Sequence, residues 1–320
     1  GGLGRLISSI PALLKYDKNH QEEEWYILIN GWHYITWGIP ELQNRTFELN
    51  TKGVFDLLLR AEKVIKPEPY HVPDYYRNKI SLREAWDVVI NNSLDHEDLP
   101  PMQLVLSNEE KRASYDLINF MKMSQGKEKT IVIQPYGSSA NVHASGNFDN
   151  SLRSMPELMI DYFIKNLSKE YNIIFMGLKE LCKYKNYRPE PDPTIREWMS
   201  IINSADYFIG CDSCGQHMRK AFNKKASVFI AGTSRVNTSY DDFHIIEKDL
   251  PFYPDGMRLS GFNSMLSERL NEPRFEFDQS EIEMAYKEVV SEIEKCNTHT
   301  MTKPELPVKI VKGEVGGAIF

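Results

Sequence analysis

The sequence contains few cysteines, no long apolar run and no excess of positive charge. Its cysteines, Cys182, Cys211, Cys214 and Cys296, are too few and too unevenly spaced for a disulfide framework, which favours a reducing compartment. No stretch approaches the ~18 apolar residues of a membrane-spanning helix, and the first residues lack the basic start and the cleavage site of a signal peptide. We therefore predict a cytoplasmic protein without stable membrane insertion.

Acidic residues outnumber basic ones. The 320-residue chain has 38 Lys and Arg against 45 Asp and Glu, a net charge of −7. This balance is unfavourable for a surface that coats nucleic acid, although it leaves room for one basic cleft. An anionic small ligand would need local basic groups. Internal repeats and low-complexity tracts are also lacking, and the length favours two domains of globular type.

Apolar strands alternate with amphipathic helices along the chain, which predicts an α/β fold. The predicted helices span residues 6–14, 81–90, 107–123, 156–170, 194–203, 216–223 and 280–295. The predicted strands span residues 24–30, 130–134, 171–176, 207–209 and 226–230, while 55–61 fits either a helix or a strand.

A domain boundary is predicted at Gln125-Gly126, because a glycine that follows a long helix is a common helix end. An N-terminal domain would then span residues 1–125 and a C-terminal domain 126–296. The tail, 297–320, has the pattern of a loop and a short strand.

The most informative segment spans residues 205–233, where two short apolar strands enclose a polar turn and a helix start. The first strand stops at Gly210, and a helix N-terminus begins shortly after it. Four small or polar residues occupy that turn and helix start: Asp212, Ser213, Gly215 and His217. Backbone amides exposed there suit a phosphate or a ribose, so we predict a ligand pocket.

Two other predicted strands also end in small residues. The strand at 130–134 runs into a loop that contains Ser138, and the strand at 171–176 ends at Gly177. Ligands of open parallel sheets bind beyond the carboxyl ends of the strands. We therefore expect Ser138, Gly177 and the turn at 212–215 to line one cleft.

Three segments, in this order, resemble the heptosyltransferase family, glycosyltransferase family 9. They are residues 1–14 (GGLGRLISSIPALL), 133–156 and 195–233. The resemblance implies an α/β GT-B fold, in which two Rossmann-like parallel-sheet domains face a central cleft. The N-terminal domain would take the acceptor and the C-terminal domain a nucleotide sugar. The resemblance also implies an inverting, metal-independent hexosyl-, heptosyl- or pentosyltransferase. Such an enzyme uses the nucleotide sugar as a co-substrate and needs no cofactor.

The resemblance carries over to single residues. Asp212, Ser213, Gly215 and His217 match the family's donor-binding pattern, and Arg153 matches its basic residue before a helix. With them, Gly4, Ser138 and Gly177 complete the donor-binding residues that we predict. These cations and amides would stabilise the charge that develops on the leaving diphosphate.

Arg5 departs from the family pattern, because the family has at this position an aspartate thought to be the general base. Arg5 could instead face the diphosphate from across the cleft. We predict that His33, in the loop after the strand at 24–30, replaces the missing base. The family also has a strand before the glycine turn, and we expect it to precede Gly1 or to come from the tail at 308–311.

Each residue also has a purely structural alternative. The turn at 212–215 fits an ordinary helix N-cap, His217 fits a brace of that turn, and Arg5 and Arg153 fit solvated surface charges. His33 fits a packed structural histidine. Cys211, Cys214 and His217 have the spacing of zinc or redox ligands, but a fourth ligand at a recognisable spacing is lacking.

The acceptor is the most open part of the prediction. A saccharide is the acceptor that the resemblance implies, and without a basic amphipathic membrane-facing stretch soluble acceptors stay open. A modified base in DNA, as in phage glycosyltransferases, would require Arg77, Lys79 and Arg83 to gather beside the cleft. A non-catalytic nucleotide-sugar-binding protein is the alternative from another class. The aromatic-rich segment 70–86 fits either an acceptor platform or core packing.

Overall fold

The computed structural model describes residues 2–143, 146–149, 153–247, 277–296 and 303–304. Gly1 and the tail strand predicted at 308–311 lie outside these residues. Among the described helices, none combines the length and the apolar character needed to cross a bilayer.

Residues 2–125 form helices around a small parallel sheet. The helices are α1 (Leu3–Asn19), α2 (Pro40–Gln43), α3 (Val54–Arg60), α4 (Pro73–Tyr76), α5 (Leu82–Asn91) and α6 (Asn108–Gln125). The sheet consists of the parallel pair β1 (Ile27–Ile29) and β2 (Thr46–Glu48). The strand predicted at 24–30 is therefore shorter than its apolar run, and the ambiguous segment 55–61 is a helix.

Capping residues define the ends of the longer helices. Ser81 caps α5 and Ser107 caps α6, each in a box with the glutamate three residues later. Gly126 ends α6 in the left-handed conformation, with φ of 66°. Both kinds of signal are visible in the sequence, as a serine with a glutamate three residues later and as a glycine after the last helical residue.

The second half is built on a five-stranded parallel sheet. Its strands are β3 (Thr130–Gln134), β6 (Asn172–Phe175), β7 (Tyr207–Cys211), β8 (Ser227–Phe229) and β9 (His244–Ile246), and an antiparallel hairpin of β4 (Ala140–His143) and β5 (Gly146–Asp149) follows β3. The helices are α7 (Glu157–Glu170), α8 (Ile195–Ser204), α9 (Cys214–Ala221), α10 (Arg235–Thr238) and α11 (Gln279–Lys295).

The order of the strands locates a crevice. The sheet runs β6-β3-β7-β8-β9, so the chain first moves from β3 to β6 and then crosses back to β7 on the other side of β3. Ligands of such sheets bind outside the carboxyl ends of the strands at the point where the order reverses. In this chain that point lies between the ends of β3 and β7.

Two apolar clusters cover the two faces of this sheet, because successive strand residues point to opposite sides. Ile131 and Ile133 of β3 pack with α7 and α11, whereas Val132 packs with α8 and α9. The cluster around Val132 also contains Leu3, Ile7 and Ile10 of α1. The first helix therefore shares a core with the second half, although the domain boundary at residue 126 itself stays a prediction.

Candidate functional site

Gln134 joins the carboxyl ends of β3 and β7. Its Nε2 donates to Oγ of Ser213 at 3.2 Å, and its Oε1 accepts from the backbone N–H of Gly215 at 2.9 Å. A β-carbon on Gly215 would lie 2.3 Å from that Oε1. One backbone amide of the predicted anion site is therefore bound to Gln134. Gln134 was not among the predicted site residues, although a polar side chain that ends a buried strand is a signal for such a role.

Asp212 is buried at the end of β7 and connects three segments. Its carboxylate accepts from Nε2 of Gln216 and from Oγ1 of Thr233, both at 2.9 Å. Burial raises the pKa of Asp212 above its ordinary value, against the opposite effect of Arg153 and of these hydrogen bonds. Ser213 stands at the N-cap of α9 but makes no side-chain capping bond, so a simple N-cap does not explain this turn.

Arg153 faces Asp212. Burial is the largest single effect and opposes its charge, but Asp212, with Asp149 and other neighbouring groups, together outweighs burial, so the pKa of Arg153 is raised. The loop that carries it is held by Ser154, whose N and Oγ donate to Asp149 at 3.1 and 2.6 Å. Ser154 Oγ also accepts from the N–H of Gly137 at 2.9 Å. These bonds tie Arg153 to the loop that follows β3.

Ser138 and Gly177 lie at the same edge of the sheet. Ser138 is exposed in the turn after β3, and Gly177 follows β6. The carbonyl of Gly177 accepts a hydrogen bond from Arg188, which also pairs with Asp192. The fold thus brings the small residues that follow three strands to one edge of the sheet, while their binding of a donor stays a prediction. Arg188, which was not predicted, contacts the same edge.

His217 lies in α9 against the first half of the chain. Its Nδ1 is 2.6 Å from the hydroxyl of Tyr240 and 3.4 Å from Oγ of Ser8 in α1. Burial, with the nearby Arg153, lowers the pKa of His217 to about 4, so the ring is neutral at pH 7. The ring packs on Gly4, which places both residues at the contact between α1 and α9.

Arg5 is held between aromatic rings. Its Cζ lies 4.9 Å from the ring centroid of Tyr70 and 5.2 Å from that of Trp86. Nη2 pairs with Oε2 of Glu68 at 3.0 Å and donates to the carbonyl of Pro67 at 3.3 Å. A stacked, ion-paired guanidinium is not a freely solvated surface charge.

Tyr70 marks the place where the two halves meet. Burial raises the pKa of its phenol, and Arg5, Asp212 and Arg153 also act on it electrostatically. Arg5, from the first half, lies 4.9 Å from this ring, and the charges of Asp212 and Arg153, from the second half, are close enough to act on its phenol. The aromatic segment at 70–86 therefore borders the site.

His33 follows β1 at the carboxyl end of the small parallel sheet. Its Nδ1 lies 3.6 Å from Oε2 of Glu48, the last residue of β2, and its ring is 5.5 Å from that of Tyr34 and 6.0 Å from that of Trp37. The preceding Trp32 has φ of 59°, which is unusual for a bulky residue. Glu48, which the sequence analysis missed, is placed to orient the imidazole.

The geometry gives little support to two alternatives, the binding of DNA and a zinc or redox site. Arg77 and Lys79 both pair with Asp74, at 3.9 and 3.7 Å, so part of the positive charge needed to bind DNA is neutralised. Burial raises the pKa of Cys211, and Sγ of Cys214 accepts from Gln134 at 3.6 Å. Within the described ranges, no group of three or more His, Cys, Asp or Glu side chains is arranged to hold a metal ion.

No protein-family model matches the sequence, and no curated protein is significantly similar to it. Solved structures do resemble it. E. coli ADP-heptose LPS heptosyltransferase II aligns with a TM-score of 0.55 at 11% identity, over 84% of this chain and 97% of that chain. The glycosyl transferase of family 9 from Veillonella parvula aligns with a TM-score of 0.57 at 11% identity, over 92% and 94%.

A third structure, the iron-containing dodecameric glycosyltransferase TibC from enterotoxigenic E. coli, aligns with a TM-score of 0.57 at 12% identity, over 94% of this chain and 78% of that chain. The chain shares the GT-B fold of these transferases. At such identities the likeness concerns the fold, which confirms the fold class expected from the three sequence segments.

Proposed function

We propose that this chain is an inverting, metal-independent glycosyltransferase that transfers a sugar from a nucleotide-sugar donor to a hydroxyl of a saccharide. The observation that carries the proposal is the position of Arg153 and Asp212 beside the ends of β3 and β7, where the sheet order reverses, with Arg5 stacked on Tyr70, whose phenol both of their charges reach. Two cations from opposite halves are what a diphosphate between them requires. The GT-B fold of the structural neighbours supports this proposal.

The leaving diphosphate would lie between Arg153 and Arg5. As the bond between C1 of the sugar and the phosphate oxygen breaks, its electron pair leaves with the diphosphate, and the charge on that oxygen grows. Arg153 is held by its loop and Arg5 by Glu68 and two rings, so both cations need little reorganisation to stabilise this charge. Asp212 would hold Arg153 in place and contact the donor together with Ser213, whereas the backbone N–H of Gly215 is bound to Gln134 and holds the shape of the turn.

His33 is the base of the proposed reaction. The acceptor oxygen forms the new bond to C1, and its proton passes to the imidazole. Both His33 and Glu48 stand at the carboxyl ends of parallel strands, the edge where α/β domains bind ligands. Nδ1 of His33 is buried without a hydrogen-bond partner among the described residues, and it faces the Glu48 carboxylate. A carboxylate at one ring nitrogen prepares the other to accept a proton.

The donor class is a nucleoside diphosphate sugar. The name of one structural neighbour specifies ADP-heptose, and this supports testing ADP-linked sugars first. A saccharide acceptor is favoured over a DNA base because Asp74 pairs with two of the basic residues that DNA would need and offsets part of their charge.

A donor panel tests the proposal. The unmodified protein would be screened by thermal shift with ADP-, UDP-, GDP- and CMP-sugars, alongside Arg153→Ala and Asp212→Ala. Arg112→Ala is a matched control, because this arginine pairs with Asp116 on the surface of α6 and has no role in the proposed site. Stabilisation by one donor, retained in Arg112→Ala and lost in Arg153→Ala, is expected. Stabilisation by no donor contradicts the proposal, and stabilisation without nucleotide release favours a non-catalytic binding protein.

A further inference from the structure

The segment at 49–66, which contains α3, leaves unusually many apolar side chains in solvent. Only Val54 of the seven residues of α3 is buried. Phe55 is 71% exposed and Leu59 70%, and these two lie one turn apart on the same helix face. Val64, Leu49 and Ile65 are also exposed. Large exposed apolar side chains that are adjacent in this way mark an interaction surface.

The same segment is basic, although the chain as a whole is acidic. Its cations are Lys52, Arg60, Lys63 and Lys66, and its acids are Asp56 and Glu62. None of the four cations forms an ion pair with any residue of the described ranges. Unpaired cations beside exposed apolar side chains are the composition of a membrane-surface anchor.

The charge pattern decides between the possible occupants. A symmetric contact between two copies would bring the four unpaired cations of one copy close to those of the other, which is unfavourable. Nucleic acid would pair with the cations but would leave Phe55 and Leu59 unused. A bilayer with anionic headgroups can interact with the apolar side chains and the cations together. The apolar side chains would enter the boundary of the acyl chains, and the cations would pair with the headgroups.

We propose that the segment at 49–66 docks the protein onto the surface of an anionic lipid bilayer. The sequence pattern did not show this surface, because α3 has only seven residues and Asp56 and Glu62 interrupt the positive charge. Docking of this kind is peripheral and needs no membrane-spanning helix.

The segment leads directly to the candidate site. It ends at Lys66, and the next two residues, Pro67 and Glu68, both contact Arg5. A bilayer at this surface therefore adjoins the cleft on its acceptor side. This placement would let the site receive a saccharide carried on a lipid, a consequence that rests on the proposed function, whereas the docking itself does not.

Vesicle sedimentation of the full chain tests the docking without any activity assay. The probes are vesicles of phosphatidylcholine alone and of phosphatidylcholine with phosphatidylglycerol. The variants are Phe55→Ser with Leu59→Ser, and Lys63→Gln with Lys66→Gln. Phe120→Ser with Met123→Ser is the matched control, because these side chains are 68% and 78% exposed on α6. Thermal unfolding of each variant establishes that it is folded.

The protein should sediment with the anionic vesicles, less so at high salt, and not with the neutral ones. Both test variants should lower the partition coefficient, by about tenfold or more for the loss of two cations, and the control should leave it unchanged. Equal binding to both kinds of vesicle, or no binding, overturns the proposal. So does a lipid-free dimer that is lost in the Phe55 and Leu59 variant, or retention of duplex DNA through Lys63 and Lys66.

Discussion

Gly4 and His217 are packed so closely that no side chain fits between them. A β-carbon on Gly4 would lie 2.6 Å from Cδ2 of His217 and 3.1 Å from its Nε2. Gly4 is in the first turn of α1 and His217 is in α9, so this contact joins the two halves of the chain. The glycine at this position therefore serves the packing of the halves as well as any approach of a ligand.

Replacement of Gly4 by alanine should destabilise the protein. The new methyl group must displace a buried ring that Tyr240 holds, and we expect a loss of about 1–3 kcal/mol in the free energy of unfolding. Urea unfolding measures this loss. Gly2→Ala is the control, because among the described residues no atom beyond the neighbouring ones lies within 4 Å of the added carbon. Equal stability of the two variants would contradict the contact.

Protonation of His217 should make the protein less stable in acid. Burial lowers its pKa to about 4, below the ordinary value of 6.5, so the unfolded chain binds this proton first. The stabilisation is complete above pH 6.5 and is lost as the pH falls towards 4, and it amounts to about 3 kcal/mol. Denaturant unfolding near pH 7 and near pH 4 measures it. His217→Gln should remove this part of the pH dependence, and an unchanged dependence would show that the ring is not buried neutral.

Loss of the proposed base, His33, should slow the chemical step without weakening the binding of the donor. We expect His33→Asn to lower kcat for donor hydrolysis about 10²–10⁴-fold and Glu48→Gln to lower it less, because Glu48 only orients the ring. His20→Asn is the control, because this histidine also belongs to the first half and pairs with a glutamate, with 2.8 Å between its Nδ1 and Oε1 of Glu23. A normal kcat in His33→Asn would remove His33 from the mechanism.

Gln134 should prove necessary for the donor site. Its side chain makes hydrogen bonds to Ser213 and Gly215, so Gln134→Ala removes both and leaves a buried amide without its partner. We expect a loss of about 1–3 kcal/mol in stability and a weaker affinity for the donor. Calorimetric titration measures the affinity, and Gln125→Ala, at the exposed end of α6, is the control. Unchanged affinity in Gln134→Ala would show that the turn holds its shape without this bridge.

The sheet of the second half was predictable because its central strands are continuous apolar runs. Strands β3 and β7 lie within a residue or two of their predicted bounds. Strand β9 has only three residues, and the hairpin of β4 and β5 consists largely of polar and small residues, so neither has a pattern that distinguishes it from a loop. In the first half, tertiary contacts leave only three residues of the run at 24–30 in a strand.

Some residues of the candidate site were likewise predictable from the sequence, and others were not. Asp212, Ser213 and Gly215 were predictable because they directly follow an apolar strand, and the fold brings them to the expected edge. Their partners Gln134 and Thr233, and the partner of His33, Glu48, belong to distant segments. Such pairs depend on the register of neighbouring strands, which a single sequence does not contain.

The most direct measurement is proton NMR of a nucleotide sugar during incubation with the protein. The donor would be the one identified by the thermal-shift panel, and Arg153→Ala and Arg112→Ala would be measured in parallel. The account predicts that nucleoside diphosphate is released and that the sugar first appears with the opposite anomeric configuration, in the unmodified protein and in Arg112→Ala but not in Arg153→Ala. Two results would contradict this prediction: a donor that binds but stays intact with every acceptor offered, or a transferred sugar that keeps its anomeric configuration.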